Sequence, residues 1–253
     1  MILKIDNSLK FGQQHGGFGI QILYPGTIMP NLKDTGVGTI GRIDQAKVNP
    51  GTLIPMHPHR DDEILTYLRN GMVKHSDSKG LTTIISNQKL MMMNAGARFY
   101  HEEMVLAEGG ISEGLQIFIR PAQNALKPQV QFYDLPFVYS LNSWRKIAGK
   151  GEDYPLQIRS DTWIQDVRIM KEETIALPNL PAVRTSMLLY LFEGAIQLSN
   201  GERLKTGESI IIEEESLNLK ALATSDVVLF MTDKRSEYAE DGMYSGNQKK
   251  RSK

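Results

Sequence analysis

The sequence predicts a nearly all-β protein that contains a duplicated unit. Twenty-two glycines and eleven prolines interrupt the chain often, a spacing typical of short strands and tight turns rather than long helices. Several segments alternate apolar and polar side chains with the period of two that marks a half-buried strand. A length of 253 residues accommodates one large domain or two of ordinary size.

The first half is predicted to be a series of strands separated by glycine turns. A glycine-rich loop that contains His15 leads into an apolar strand, and we interpret this lone histidine as a loop residue rather than a ligand. The turn Asn70-Gly71, followed by residues 75–80, predicts a strand, a hairpin and a second strand. The other predicted strands cover residues 20–24, 36–48, 64–68, 90–93, 99–103 and 114–120.

The second half, from about residue 151, repeats the first. Leu188–Gly194 aligns with Leu65–Gly71 without a gap, and the turn and strand at 207–212 resemble those at 88–93. Such self-similarity predicts a duplicated fold unit. By the same offset Leu180 and Ala182 occupy the places of His57 and His59, and no histidine follows residue 101. We therefore expect the second copy to lack a metal site.

Three of the five histidines lie in two short segments, Met56-His57-Pro58-His59-Arg60 and His101-Glu102-Glu103. Residues i and i+2 of a strand share a face, so His57 and His59 should point the same way, and so should His101 and Glu103. Three imidazoles and a carboxylate suit iron, nickel, copper, manganese or zinc. The four groups converge only if the two strands are neighbours, which the sequence leaves open. Four such ligands would leave two positions of an octahedral metal for substrate or dioxygen.

Composition excludes other kinds of site. The chain has no cysteine, which rules out disulfides, thiolate zinc sites and cysteine nucleophiles. Its formal net charge is zero, so nothing attracts it to nucleic acid, and no apolar run approaches a membrane span. We expect a cytoplasmic monomer that binds neither DNA nor a membrane. The polar segment 236–253 ends in the basic run Lys249–Lys253 and is predicted to be a disordered tail.

The pattern His57-Pro58-His59-Arg60-x-x-Glu63, Gly71, His75-x-Asp77, Met93-x-Ala95-Gly96 and His101-x-Glu103 resembles the pirin family of cupins. The resemblance implies a bicupin, two jelly-roll-type β-barrels in tandem with few short helices. We place the metal-binding domain at 1–125, a proline-containing connection at 126–150 and the second cupin at 151–235, followed by the tail.

The resemblance implies that His57, His59, His101 and Glu103 bind one divalent transition metal. Fe(II) is the expected ion, and Ni, Cu, Mn and Zn stay open. Glu63, a ligand in many other cupins, is expected behind the ligands, and a structural role is favoured for His75. The family pattern is replaced at Asn87-Gln88-Lys89, at Gly96-Ala97-Arg98 and at Glu102. We expect these changes to reshape the rim of the site.

Two functions follow from the resemblance. One is a quercetin 2,3-dioxygenase-like oxidoreductase that opens a flavonol, or a similar small aromatic substrate, with Glu103 accepting the substrate proton. Met56 and residues 91–93 would then line the cavity or, as we favour, form barrel core. The alternative is a non-enzymatic, iron-dependent redox-sensing regulator that binds a protein partner. Another cupin reaction, such as an isomerisation or the oxidation of a different metabolite, is a third reading.

Overall fold

The computed structural model of the chain describes residues 1–29 and 33–251 and is almost entirely built from strands. The strands of its first half are β1 (Ile2–Ile5), β2 (Phe11–His15), β3 (Phe18–Leu23), β4 (Ile40–Val48), β5 (Leu53–His59), β6 (Glu63–Asn70), β7 (Met72–Asp77), β8 (Thr82–Ser86), β9 (Lys89–Asn94), β10 (Phe99–Val105) and β11 (Ser112–Ile119). Those of its second half are β12 (Gln129–Asp134), β13 (Arg145–Gly149), β14 (Leu156–Gln157), β15 (Thr162–Ile169), β16 (Thr174–Ala176), β17 (Thr185–Leu198), β18 (Arg203–Lys205), β19 (Ser209–Glu213) and β20 (Asn218–Asp233).

Among the described residues, helical structure is confined to single turns. Three 3-10 turns cover Asn7–Leu9, Pro25–Ile28 and Ala107–Gly109, and one α-helical turn covers Gln248–Arg251. None of the helices described is long and apolar enough to span a lipid bilayer. The prediction of an all-β protein with few short helices is therefore confirmed.

The chain divides into two compact units, and the first one carries the histidine cluster. This histidine-bearing unit comprises Lys10–Thr27 and the described parts of Asn31–Val138 and Glu237–Lys253. Its curled sheet has the strand order β2-β3-β4-β11-β6-β9-β8-β7-β10-β5, with β12 paired to β9. Seven of the eight residues of β6 are buried, because this strand lies at the centre of the sheet, between β11 and β9.

The second unit contains Met1–Leu9 and Tyr139–Ser236, and apolar side chains fill its interior. Its sheet has the strand order β1-β19-β17-β20-β15-β13-β14, with β16 on β20 and β18 on β17. The large buried cluster includes residues from β15, β17, β19 and β20, among them Val167, Leu189, Ile210 and Leu229.

The duplication is confirmed by strand pairing. In the histidine-bearing unit, Leu65 of β6 lies opposite Met92 on one side and Ile117 on the other. In the second unit the matching residue, Leu188 of β17, lies opposite Ile211 and Phe230. The segment that aligns without a gap in the sequence is thus the central strand of each sheet.

One local prediction is wrong: Asn70-Gly71 does not form a hairpin. The strand β6 that ends here pairs with β9 and β11, whereas β7 pairs with β8 and β10. Gly71 has φ of 84°, and a Cβ atom there would lie 2.5 Å from the Cα of Ser112. Glycine is needed because the chain leaves one part of the sheet for another in a left-handed conformation against a neighbouring backbone.

The units also differ from the predicted boundaries at residues 1–9 and 126–150. The first strand, β1, pairs with β19 and so belongs to the second unit. The proposed connection holds two strands, of which β12 pairs with β9 in one unit and β13 with β15 in the other. The chain passes between the units at Val138 and Tyr139.

The segment predicted as a disordered tail folds onto the histidine-bearing unit. Ser245 is fully buried, and its backbone and hydroxyl donate hydrogen bonds of 2.8 and 2.7 Å to the Asp62 carboxylate. Its carbonyl accepts a 2.8 Å bond from the buried Arg120 guanidinium. The Asp62 carboxylate thereby gains hydrogen-bond donors from this segment, and the Arg120 guanidinium gains one further acceptor. These buried charged groups order a polar sequence here because they need hydrogen-bond partners. Within the basic tail, Ser252, Lys253 and the side chains of Lys250 and Arg251 lie outside the described residues.

Replacing Arg120 tests the contacts of its buried guanidinium. Its guanidinium also binds both carboxylate oxygens of Asp34 at 2.6 Å. Burial raises the pKa of Asp34, but the Arg120 hydrogen bonds and charge outweigh it and keep that pKa below its ordinary value. Arg120→Met leaves the Asp34 carboxylate without this partner, and we expect a loss of about 3–5 kcal/mol in the free energy of unfolding. Denaturant unfolding measures it. Lys146→Met, which removes an exposed ion pair with Asp153, is the control and should leave the midpoint unchanged. Equal unfolding midpoints for Arg120→Met and Lys146→Met would contradict a stabilising role of the ion pair between Arg120 and Asp34.

Candidate metal centre

The two histidine segments lie on neighbouring antiparallel strands. Strand β5 pairs with β10 so that His57 lies directly opposite His101, and His59 lies opposite Phe99. The register shifts by a bulge between His101 and Glu103. This pairing is the condition that the sequence could not supply, and it brings the predicted ligands together.

The alternation expected of the two strands is observed. In β10 the buried positions alternate with half-exposed ones, and His101 and Glu103 are both buried. In β5 the ring centroids of His57 and His59 are 4.9 Å apart, so both side chains are on one face. The intervening Pro58 is exposed on the other face.

Three imidazoles converge at the centre of the cluster. The Nε2 atoms of His59 and His101 are 3.1 Å apart, and the ring centroids of His57 and His101 are 4.4 Å apart. The Nδ1 of His57 is 2.8 Å from the carbonyl oxygen of Pro55, so it donates to that carbonyl and leaves Nε2 as the lone-pair nitrogen. The ligand atoms of His57, His59 and His101 all lie within 4.8 Å of one another.

A second triplet shares His101 and includes Glu103 and His75. Its ligand atoms also lie within 4.8 Å of one another. His75, from β7, is fully buried, and its Nδ1 is 3.3 Å from the Nδ1 of His101. Glu103 Oε1 is 3.9 Å from that same His101 nitrogen. The four predicted ligands therefore belong to two overlapping triplets, and His75 is a member that the sequence reading assigned a structural role.

Burial sets the protonation of the cluster. Burial, together with the neighbouring imidazoles of His57, His59 and His75, lowers the pKa of His101 to about 2. Burial likewise lowers the pKa of His57 and raises the pKa of Glu103 to about 7. These shifts favour the neutral imidazoles of His57 and His101, which keep the lone pair that binds a metal.

The residues fit a metal ion. Two nitrogens that bind one ion at about 2.0–2.1 Å, at right angles, lie about 3 Å apart, and the His59 and His101 nitrogens have that separation. The buried Glu103 Oε1, which lies 3.9 Å from His101 Nδ1, has no hydrogen-bond partner among the described residues. Unsatisfied buried polar atoms are rare in folded proteins and indicate a missing ligand or ion.

The cluster opens into a cavity of about 510 Å³, in the range of small-molecule sites. His57, His59 and Glu103 line it, and most of the remaining wall is apolar, with side chains such as Leu68 and Val105. A cavity of this size and lining can admit a small ligand with an apolar body.

Three polar or aromatic groups of this cavity were not found by sequence reasoning. Arg42 and Asp44, from β4, and Tyr244, from the C-terminal segment, all line it. Burial raises the pKa of Asp44 to about 6, although Arg42 opposes the shift. The alternation Arg42-x-Asp44 within an apolar strand was the available signal for the pair. Tyr244 carried none, since its segment gave no strand pattern.

Other residues singled out in the sequence lie away from the cavity. Residues 91–93 are fully buried in β9 and none lines the cavity, so they are core as favoured, whereas Met56 is 47% exposed. Glu63 is buried on β6 and belongs to neither triplet. Glu102, residues 87–89 and residues 96–98 do not line the cavity either. The expectation that these substitutions reshape its rim is therefore not supported.

Comparison with known proteins agrees with this architecture. Residues 32–119 match the pirin family, and residues 147–231 match the family described as the quercetinase C-terminal cupin domain. The quercetin 2,3-dioxygenase of Escherichia coli K12 is 25% identical over 203 residues, which cover 77% of this chain and 83% of that protein.

Two solved structures support the fold. Bacterial pirin YhhW from Escherichia coli, solved in complex with nickel(II), aligns with a TM-score of 0.79 at 21% identity, over 92% of this chain and 99% of that chain. A quercetin 2,3-dioxygenase from Acinetobacter baumannii aligns with a TM-score of 0.74 at 22% identity, over 89% of this chain and 84% of that chain.

Two cupin domains in tandem, one of them with a buried histidine cluster, define the protein as a bicupin. The two family matches together cover more than half of its length. The chain belongs to the pirin family.

The cluster predicts the metal content of two variants. His101→Ala removes the residue shared by both triplets, so bound metal should fall from about one ion per chain to near zero. Elemental analysis of the purified protein measures this. His15→Ala is the control, because His15 is exposed on β2 and belongs to neither triplet. Full metal content in His101→Ala would contradict its role as a ligand.

The contact between His75 and His101 leads to a separate prediction. If it orients His101 by accepting a hydrogen bond from its Nδ1, His75→Ala should retain one ion per chain but bind it about 10- to 100-fold more weakly. Competition with a chelator measures the affinity. Complete loss of the metal, as in His101→Ala, would instead identify His75 as a direct ligand.

Proposed function

We propose that this chain is a metal-dependent dioxygenase of the pirin type, which opens the ring of a flavonol or a similar small aromatic compound with dioxygen. The observation that carries the proposal is the convergence of His57, His59 and Glu103 on one largely apolar cavity. The names of the relatives, two of them quercetin 2,3-dioxygenases, support the substrate class.

We propose His57, His59, His101 and Glu103 as the ligands of one divalent ion. Fe(II) remains the expected metal, and Ni(II) is the main alternative, since the YhhW structure contains nickel. When bound, the ion would hold the oxygens of the substrate and promote electron transfer to dioxygen. The imidazoles of His57, His59 and His101 would provide three nitrogen donors for it, and His75 holds His101 in place from the Nδ1 side.

Glu103 is proposed to accept the proton of the substrate hydroxyl at Oε1. That oxygen is buried and has no hydrogen-bond partner among the described residues. Without an ion, burial raises the pKa of Glu103 to about 7. A bound cation would favour the carboxylate form, which is the form that accepts a proton. The apolar walls would exclude water and keep the ring close to the cluster.

The test is turnover of quercetin. Protein loaded anaerobically with Fe(II), and separately with Ni(II), is mixed with quercetin and air, and flavonol absorbance is followed. We expect a loss of absorbance above the metal-free control, and no loss with either metal would contradict the proposal. Glu103→Gln should lower kcat about a hundredfold or more.

The matched control is Glu102→Gln. Glu102 is the next residue of β10 but lies on its outer face and does not line the cavity. The Glu102→Gln variant should keep the rate of the parent protein.

The regulatory alternative stays a prediction from the resemblance, since no contact or surface described above favours it.

A further inference from the structure

A charged pair lies in the wall of the otherwise largely apolar cavity. Arg42 and Asp44 both line it, on the same face of β4 as Ala46 and Val48. The guanidinium binds the carboxylate in a fork, with Nε to Oδ1 at 2.7 Å and Nη2 to Oδ2 at 2.6 Å. The side chains are 12% and 2% exposed. A buried ion pair contributes little net stability, because the cost of desolvating both charges offsets their attraction.

Aromatic rings hold the guanidinium in place. Its central carbon is 5.2 Å from the ring centroid of Tyr244, 5.3 Å from that of Phe118 and 5.8 Å from that of Tyr24. Arginine commonly stacks in this way on aromatic faces. The orientation of Arg42 is therefore fixed before any ligand arrives.

The same rings connect the pair with the histidine cluster. The Tyr244 ring is 5.3 Å from the ring of His59, and the Phe118 ring is 6.2 Å from it. One aromatic ring thus separates the cluster from the guanidinium. A ligand that contains two or three linked rings could reach both ends of the cavity.

The pair, which lines the cavity, keeps hydrogen-bonding capacity. Two of the five guanidinium N–H groups bind Asp44, and Nη1 meets the Tyr24 hydroxyl only at 3.5 Å. Each Asp44 oxygen accepts one bond from Arg42 and retains a second lone pair. The pair therefore offers both a donor and acceptors, and its net charge is zero. A neutral hydroxyl group matches this, whereas a carboxylate would meet the negative charge of Asp44.

We propose that Arg42 and Asp44, with Tyr244 stacked on the guanidinium, form a second recognition subsite that binds the uncharged, hydroxylated end of an aromatic ligand. The subsite determines specificity and rests on the proposed function, since it selects among substrates of the same centre. The class it favours is a polyhydroxylated aromatic, over an unsubstituted ring and over an aromatic acid.

The C-terminal segment is part of this subsite. The Tyr244 and Ser245 amides donate to the Asp62 carboxylate at 2.8–3.1 Å, which anchors the backbone independently of the tyrosine ring. Replacing the ring should therefore leave the segment attached. Residues near the end of the chain in this way complete a cavity whose other walls come from strands.

The experiment measures ligand binding rather than turnover. The full chain, loaded with Fe(II) without oxygen, is titrated calorimetrically with quercetin and with 3-hydroxyflavone, which lacks the hydroxyls of the outer rings. The parent should prefer quercetin. Arg42→Met combined with Asp44→Leu replaces the pair by apolar side chains, and the preference should fall about tenfold or more, as expected for a hydrogen bond to a charged group.

The chain offers a matched control. Arg145 and Asp166 form the same forked pair in the second unit, at 2.9 and 2.6 Å. Arg145→Met combined with Asp166→Leu should leave the preference for quercetin unchanged. Tyr244→Ala should reduce that preference and Tyr244→Phe should keep it, and these variants decide the matter if the double replacement at Arg42 and Asp44 does not fold.

Two results would overturn the subsite: a parent protein without preference for quercetin, or variants that lose affinity for both flavonols equally. Turnover in air on the same samples tests the dioxygenase proposal separately. Preferential binding without degradation would support the subsite and contradict the dioxygenase. Degradation of quercetin without preferential binding would support the dioxygenase and contradict the subsite.

Discussion

The candidate centre depends on the pairing of β5 with β10. The antiparallel register places His57 opposite His101, and the two-residue period of each strand adds His59 and Glu103 to the same face. A shift of one residue in this register would turn an entire set of side chains to the other face. The rest of the unit keeps these two strands in place, and the third strand, β7, brings His75 against His101 from behind.

The two units show what the same strand arrangement does with different side chains. In the second unit, leucine, isoleucine and valine from facing strands fill the interior, and this packing contributes stability. In the histidine-bearing unit the interior contains imidazoles, carboxylates and a cavity instead. Such groups lower stability unless they are paired. The second unit therefore has a large apolar core, whereas the histidine-bearing unit places polar groups beside a cavity.

Local pattern predicted much of this architecture. Alternation located most strands of the first half, the aligned segments at Leu65 and Leu188 predicted the duplication, and the parity of the histidine motifs predicted which side chains share a face. What it missed depends on contacts between residues distant in sequence. The Asn70-Gly71 dipeptide is a common hairpin turn, and only the approach of Ser112 reveals that Gly71 redirects the chain instead. Likewise, β1 lacks any local sign that it will pair with β19.

The C-terminal segment illustrates this limit most directly. Its composition is that of a solvated tail, yet Asp62 and Arg120 are buried charges that lie far from it in sequence and become satisfied by its backbone. Composition indicates how much apolar surface a segment can bury by itself. Here the segment is ordered because it forms hydrogen bonds with buried charged groups that lie far from it in sequence. The same contact brings Tyr244 beside His59 and over Arg42. A charged pair in an apolar wall and a ring supplied from the end of the chain are costly features for a fold to maintain. The second unit holds the same forked pair at Arg145 and Asp166, so a buried fork alone does not indicate a ligand. The pair at Arg42 differs because it lies in the wall of a cavity, within one ring of the histidine cluster, and this position supports ligand recognition.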